Sequence, residues 1–132
     1  MATVTATITL SSAAGDLTTN ALTLSDNNAI TAGETTGLAR MKVTQTAVHA
    51  DALVLYTASD YSAPAYIYIK NTDATATDYI YVYDDTTSGD PVILKLAGGD
   101  WAFMPLNAGL TLKAYATTNP TTIEWMVFGT DA

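Results

Sequence analysis

The chain has 132 residues and a formal net charge of −8, with thirteen acidic and five basic side chains. That length suits one domain with a sizeable core, and the charge opposes adhesion to nucleic acid or to an anionic membrane, because no cluster of Lys and Arg exists to displace counterions from phosphates. Only 14% of residues are charged while 48% are hydrophobic, and there is no cysteine, so a disordered acidic tail, a disulfide framework, a zinc–thiolate centre and a thiol nucleophile are all excluded.

Thr and Ala supply 46 of the 132 residues, 24 and 22 respectively, and Glu occurs only at Glu34 and Glu124. β-branched threonine favours pleated surfaces, and the scarcity of long, straight side chains argues against helices. The composition predicts an all-β chain. The start of the sequence shows neither a basic nor an apolar signal region, and the apolar runs are too short to span a bilayer as helices. The expectation is a protein made and used without a secretion signal.

Period-two alternation places about ten strands along the chain. Residues 3–10 put Val4, Ala6, Ile8 and Leu10 on one face and four threonines on the other. A short strand follows at 21–25, and 26–37 reads as the longest structureless stretch. A long or bent strand is expected over 38–48. The run 52–57 is continuously apolar, as in a strand buried on both faces. Alternation of Tyr with Ile or Val marks 66–70 and 79–83, and further strands are predicted at 92–96, 101–104, 110–115 and 122–128. Ala97-Gly98-Gly99-Asp100 reads as a tight hairpin. One domain spanning 1–132 is expected, an antiparallel two-sheet β-sandwich of jelly-roll type, with residues 1–10 either an arm able to donate a strand to a neighbour or a strand paired within its own sheet.

Catalytic constellations are weak. His49 is the only histidine, and no serine stands in a nucleophile-elbow context. Residues 84–90 set oxygen ligands at alternating positions with Gly89 sixth, as a calcium loop does. The twelfth position, where a bidentate acid is needed, is Lys95. Turn formation explains these aspartates; a weak site sharing Asp73 or Asp78 is the alternative. No two carboxylates are fixed at a glycosidase separation, and no cofactor is expected. The tyrosines are more informative, with seven of eight between Tyr56 and Tyr83. Tyr66 and Tyr68 share one strand face, and Tyr79, Tyr81 and Tyr83 share another. If the two strands pair, five rings form one patch for a protein or a sugar, or simply a cross-strand ladder. Trp101, Phe103 and Trp125 read as core. Met126 and Phe128 point to the opposite side of the last strand and are expected to be covered by a neighbouring subunit or sheet.

Three stretches carry a resemblance: Tyr66-Ile67-Tyr68-Ile69-Lys70-Asn71-Thr72 with Tyr79-Ile80-Tyr81-Val82; Leu96-Ala97-Gly98-Gly99-Asp100-Trp101-Ala102-Phe103-Met104-Pro105-Leu106; and the segment from Leu112 to Gly129. In strand spacing and in a Gly-Gly turn before an aromatic strand, this half of the chain resembles small structural proteins of tailed bacteriophages, particularly marine and cyanobacterial ones. The resemblance implies a non-enzymatic virion component, a capsid decoration or cement protein located on the capsid surface. It implies the major capsid protein and further copies of itself, as a homotrimer, for partners, and no catalytic residues. The expected contact residues are Tyr66, Tyr68, Tyr79, Tyr81, Tyr83, Met126, Phe128, Val4 and Ile8. A tail-fibre or receptor-binding module that holds host glycan on the tyrosines is the rival expectation, and a hydrolase using aspartates is a third.

Overall fold

The computed structural model describes residues 2–16, 19–43, 52–57, 60–86, 89–107, 109–116 and 119–131, and among these it contains strands and no helix. The chain divides into two units, Met1–Ala32 and Gly33–Ala132.

The first unit is a hairpin of β1 (Ala2–Ser12) and β2 (Leu22–Ala32), antiparallel and in unbroken register from Ala2 opposite Ala32 to Ser12 opposite Leu22. Alternation puts Val4, Ala6, Ile8 and Leu10 on the same face as Leu24, Asp26, Asn28 and Ile30. The opposite face carries the threonines of β1. The first strand pairs within the chain, with β2. One expectation changes: the first part of the stretch read as structureless, 26–37, is strand. Asp26, Asn27 and Asn28 hid it, because their turn propensity masks the flanking alternation when only local signals are used.

The second unit is a β-sandwich. One sheet contains β3 (Glu34–Thr35) and β4 (Ala39–Val43), both paired to β11 (Thr121–Asp131), followed by β6 (Tyr61–Asn71) and β9 (Trp101–Leu106). The other has the order β5 (Leu53–Tyr56), β10 (Leu112–Ala116), β7 (Ile80–Asp84), β8 (Val92–Leu96). All pairings are antiparallel. One apolar core joins the two inner faces, with Ile67, Ile69, Ile123, Trp125 and Val127 from the first and Ile80, Val82, Leu96, Leu112 and Ala114 from the second. Burial of these side chains is the main driving force, each Ile, Val or Leu contributing about 1.5–3 kcal/mol on leaving water. β5 lies at a sheet edge with Val54 exposed, so it is not buried on both faces as its apolar run suggested. In β6, Pro64 has no N–H to donate and falls in the register break opposite Gly129 and Thr130.

From β4 to β11 successive strands change sheet at every connection except β7 to β8. The Gly98-Gly99 turn is therefore tight but does not close a hairpin: it carries the chain from β8 in one sheet to β9 in the other. Gly99 has φ of +88°, the left-handed region the turn requires. Gly98 is needed for a different reason, since a Cβ there would lie 2.3 Å from the Thr75 carbonyl oxygen.

The 72–79 connection makes a second crossing, and Asn71 pins it. This residue is fully buried; its Nδ2 donates to the carbonyls of Asp78 (2.8 Å) and Leu96 (3.1 Å), and its Oδ1 accepts from the Asp73 amide (3.0 Å). Its backbone amide donates to Asp100, and its carbonyl accepts from Gly99. One side chain thus ties the two crossings together.

Candidate functional site

The crossing at 72–79 divides the tyrosines. β6 and β7 do not pair; they belong to opposite sheets, with their Ile and Val side chains turned to the common core. The five rings expected to form one patch therefore form two, one on each outer face of the sandwich.

On the five-stranded sheet, register aligns three rows: Trp101, Lys70, Glu124 and Arg40; then Phe103, Tyr68 and Met126; then Pro105, Tyr66, Phe128 and Thr35. Tyr66, Phe103 and Phe128 form a trio of near-parallel rings, with centroids 5.8–6.1 Å apart. Such offset contacts add about 0.5–1.5 kcal/mol per pair beyond area burial. Phe128 is only 1% exposed, so this ring is covered within the chain itself. Met126 is half-buried. Trp101, expected in the core, is 56% exposed because β9 is an edge strand and its first residue projects to the outer face.

Beside the rings lies a polar network. Arg40 Nε donates to Glu124 Oε2 at 2.8 Å, and the Tyr68 hydroxyl donates to Oε1 at 3.2 Å. The hydrogen bond from Arg40 is the main cause holding the Glu124 carboxyl below its ordinary range, against the opposing effect of burial. Burial, followed by the bond to Glu124, pushes the Tyr68 phenol up.

The four-stranded sheet has its own aromatic outer face. Tyr81 stacks on Tyr115 at 5.4 Å, and Tyr83 meets Tyr115 edge-on at 5.8 Å. Lys95 Nζ sits 4.0 Å from the Tyr79 ring centroid and 5.6 Å from that of Tyr81, within cation–π range. Lys113 pairs with Asp85 at 2.7 Å. Burial is the chief cause raising Tyr83 to about 12, with Asp85 and Asp90 adding to it.

The aspartates considered as ligands are engaged in hydrogen bonds, two of them within turns and one to a distant side chain. Asp84 Oδ1 accepts from the Thr86 amide, Asp73 Oδ1 from the Thr75 amide, and Asp78 Oδ1 from Asn119 Nδ2. Asp90 has φ of +46°, which aspartate tolerates in tight turns. Among the described residues, no three His, Asp or Glu side chains stand close enough to hold a metal ion. His49 lies outside the described residues, as do Thr87 and Ser88 of the 84–90 loop. Val4 is half-buried and Ile8 exposed, both on the apolar face of the hairpin.

Sequence reasoning missed Tyr115, Lys95 and the Arg40–Glu124 pair. Tyr115 is a lone tyrosine far along the chain, and the ion pair joins residues 84 positions apart. Only strand register brings them together.

No family model matches this sequence, and no curated protein matches it. Among solved structures, the chain is similar to one from the disulfide-linked pili of Bacillus endospore appendages, with 16% identity and a TM-score of 0.44 over 76% of this chain and 95% of that one. That degree of likeness carries no functional inference.

Proposed function

We propose that this chain is a non-enzymatic structural protein of a bacteriophage virion, a capsid decoration or cement protein that binds the outer shell as an oligomer. The observation that supports this reading best is the aromatic dressing of both outer sheet faces: Tyr66, Tyr68, Phe103 and Trp101 on one, Tyr79, Tyr81 and Tyr115 on the other. Tyr and Trp give large, rigid contact area at low entropic cost, and their polar tips tolerate water until a partner arrives. Outward-facing rings on two sides suit a protein that bridges neighbours. The resemblance of its strand and turn pattern to phage structural proteins supplies the partner, the major capsid protein, and the homotrimeric state. The order β4-β11-β6-β9 facing β5-β10-β7-β8 supports reading the sandwich as a jelly roll, eight strands in two Greek keys.

In this reading adhesion works by multivalency. Each domain holds its capsid subunit weakly, and linkage between copies keeps the remaining contacts at high effective concentration. Bridged capsomers are stabilised because the ligand binds only the assembled state. Shells purified without the protein provide the test. Added protein is expected to co-sediment with them and to raise their melting temperature, with Tyr81→Ala and Trp101→Ala weakening binding. Failure of the wild type to bind shells at tens of micromolar would contradict the reading.

A second reading, a glycan-binding module, is favoured by Trp101 alone, an exposed indole in the same row as Lys70 and Glu124. Aromatic stacking with flanking hydrogen-bonding groups is how sugars are held. A reproducible hit on a glycan array, lost in Trp101→Ala, would favour it over the first.

A further inference from the structure

Among the described residues, the β1–β2 hairpin has no third strand in its sheet. A two-stranded ribbon is at best marginally stable in water, whereas three or more strands with an apolar face can hold themselves together. The apolar side chains near its turn are correspondingly uncovered, with Leu10 53% exposed and Leu24 46%. Its outer edges are also undefended. Proteins blunt free strand edges with Lys, Pro, bulges or short length. β4 carries Arg40 and Lys42, β8 carries Lys95, β9 carries Pro105, and β5 has four residues and a register shift. β1 has none of these over eleven residues paired without a bulge, a length of about 36 Å.

We propose that two copies of this chain join edge to edge through β1, antiparallel about a two-fold axis, giving a four-stranded sheet in the order β2-β1-β1-β2. The sequence of β1 is complementary to itself in this arrangement. With Thr7 on the axis, Thr5 faces Thr9, Ala6 faces Ile8, and Val4 faces Leu10. From Thr3 opposite Ser11 inward, each cross-strand pair then matches polar with polar or apolar with apolar, and only the terminal pair Ala2–Ser12 is mixed; such pairs are the unit of sheet stabilisation. A two-fold contact requires this self-complementarity.

The self-matching sequence of β1 points to a second copy as the occupant, and charge permits that pairing and selects β1 over β2 as the edge. β1 contains no charged residue, so the net −8 of the chain does not set like charges against each other along the seam. β2 contains Asp26. The same aspartate argues against three hairpins closing into a six-stranded barrel around their apolar faces. Asp26 is paired with Ile8 on that face, so closure would enclose three like carboxylates in an apolar interior. An open four-stranded sheet leaves both Asp26 side chains on its outer strands, in water. The inference rests on the hairpin alone and is independent of any virion role.

Thr7 is the residue to change. It is exposed on the threonine face and pairs with Asn27, so its substitution leaves the apolar face untouched. Native mass of the full chain, measured by light scattering, is expected to show that wild type associates, and that Thr7→Lys and Thr7→Glu each have half its mass at the same concentration. An equimolar mixture of the two variants should recover the wild-type mass, because Lys then faces Glu across the axis. The absence of natural cysteine permits a second readout. Single Cys substitutions at Thr3, Thr5, Thr7 and Thr9 should form interchain disulfides with a maximum at one position, while Thr23→Cys on β2 should form none. A wild-type mass unchanged by Thr7→Lys, a mixture that fails to recover association, or cross-linking through Thr23→Cys as fast as through β1 would overturn the proposal.

Discussion

Replacing Asn71 by Leu tests how the two aromatic faces are kept apart. Leucine has the same branching and the same number of side-chain heavy atoms but no polar ones, so the substitution removes the bonds to the Asp78 and Leu96 carbonyls and to the Asp73 amide and leaves no cavity, its bulkier methyl groups adding some overpacking. Asn71 is wholly buried, and the two carbonyls it serves lose their partner in a dry setting. Each intramolecular hydrogen bond nets about 1 kcal/mol, and a stranded buried group costs about 1–3 kcal/mol. The half-buried Asp73 amide can turn to water, which limits its share. The two stranded carbonyls together imply a loss of about 2–6 kcal/mol, a large part of the roughly 5–15 kcal/mol typical of a domain. Urea unfolding followed by the fluorescence of the buried Trp125, in a Trp101→Phe background, would measure it. Asn119→Ala, which deletes one bond to Asp78 from an exposed position, should cost about 1 kcal/mol or less. A loss below about 1 kcal/mol for Asn71→Leu, equal to that of Asn119→Ala, would refute the idea that this side chain locks the crossings.

Gly98→Ala places a methyl group against the Thr75 backbone, so the 72–79 crossing must shift; a loss of about 2–3 kcal/mol in the same unfolding assay is expected. The Glu124 carboxyl titrates below its ordinary value of 4.5 in the folded protein, so its contribution is present above that pH and disappears as pH falls through the lowered folded value. Wild type should therefore lose stability below about 4.5 more steeply than Glu124→Gln, and equal slopes would contradict the assignment. Tyr83 is raised from 10.0 to about 12, so its contribution is complete below pH 10 and falls away as pH rises through about 12. Ultraviolet titration of the phenolates should show a late component missing from Tyr83→Phe.

Much of the fold is legible from alternation alone. The strand predicted at 92–96 matches β8, and those at 66–70, 79–83 and 122–128 lie within or beside β6, β7 and β11. Two-residue periodicity reports which side of a strand faces the core, and Ile67, Ile69, Ile80 and Val82 are buried as it predicts. It does not report which strands pair. The Gly-Gly turn looks like a hairpin and the tyrosine strands look like neighbours because short connections usually join partners. In a sandwich that changes sheet at nearly every turn, that expectation fails. The bonds that show why belong to Asn71, which in sequence resembles an ordinary turn residue. Trp101 departs from expectation for a related reason: a large aromatic usually marks a core, but an edge strand can aim one at solvent.

The claim on which the functional account depends is that the protein works by adhesion within a particle. The most direct measurement is its copy number and position in intact virions encoded alongside its gene, by quantitative mass spectrometry and electron cryomicroscopy. The account predicts density for the sandwich on the outside of the shell, in numbers proportional to the capsomer lattice. Purified particles lacking the protein, or holding a few copies at a single vertex, would contradict it.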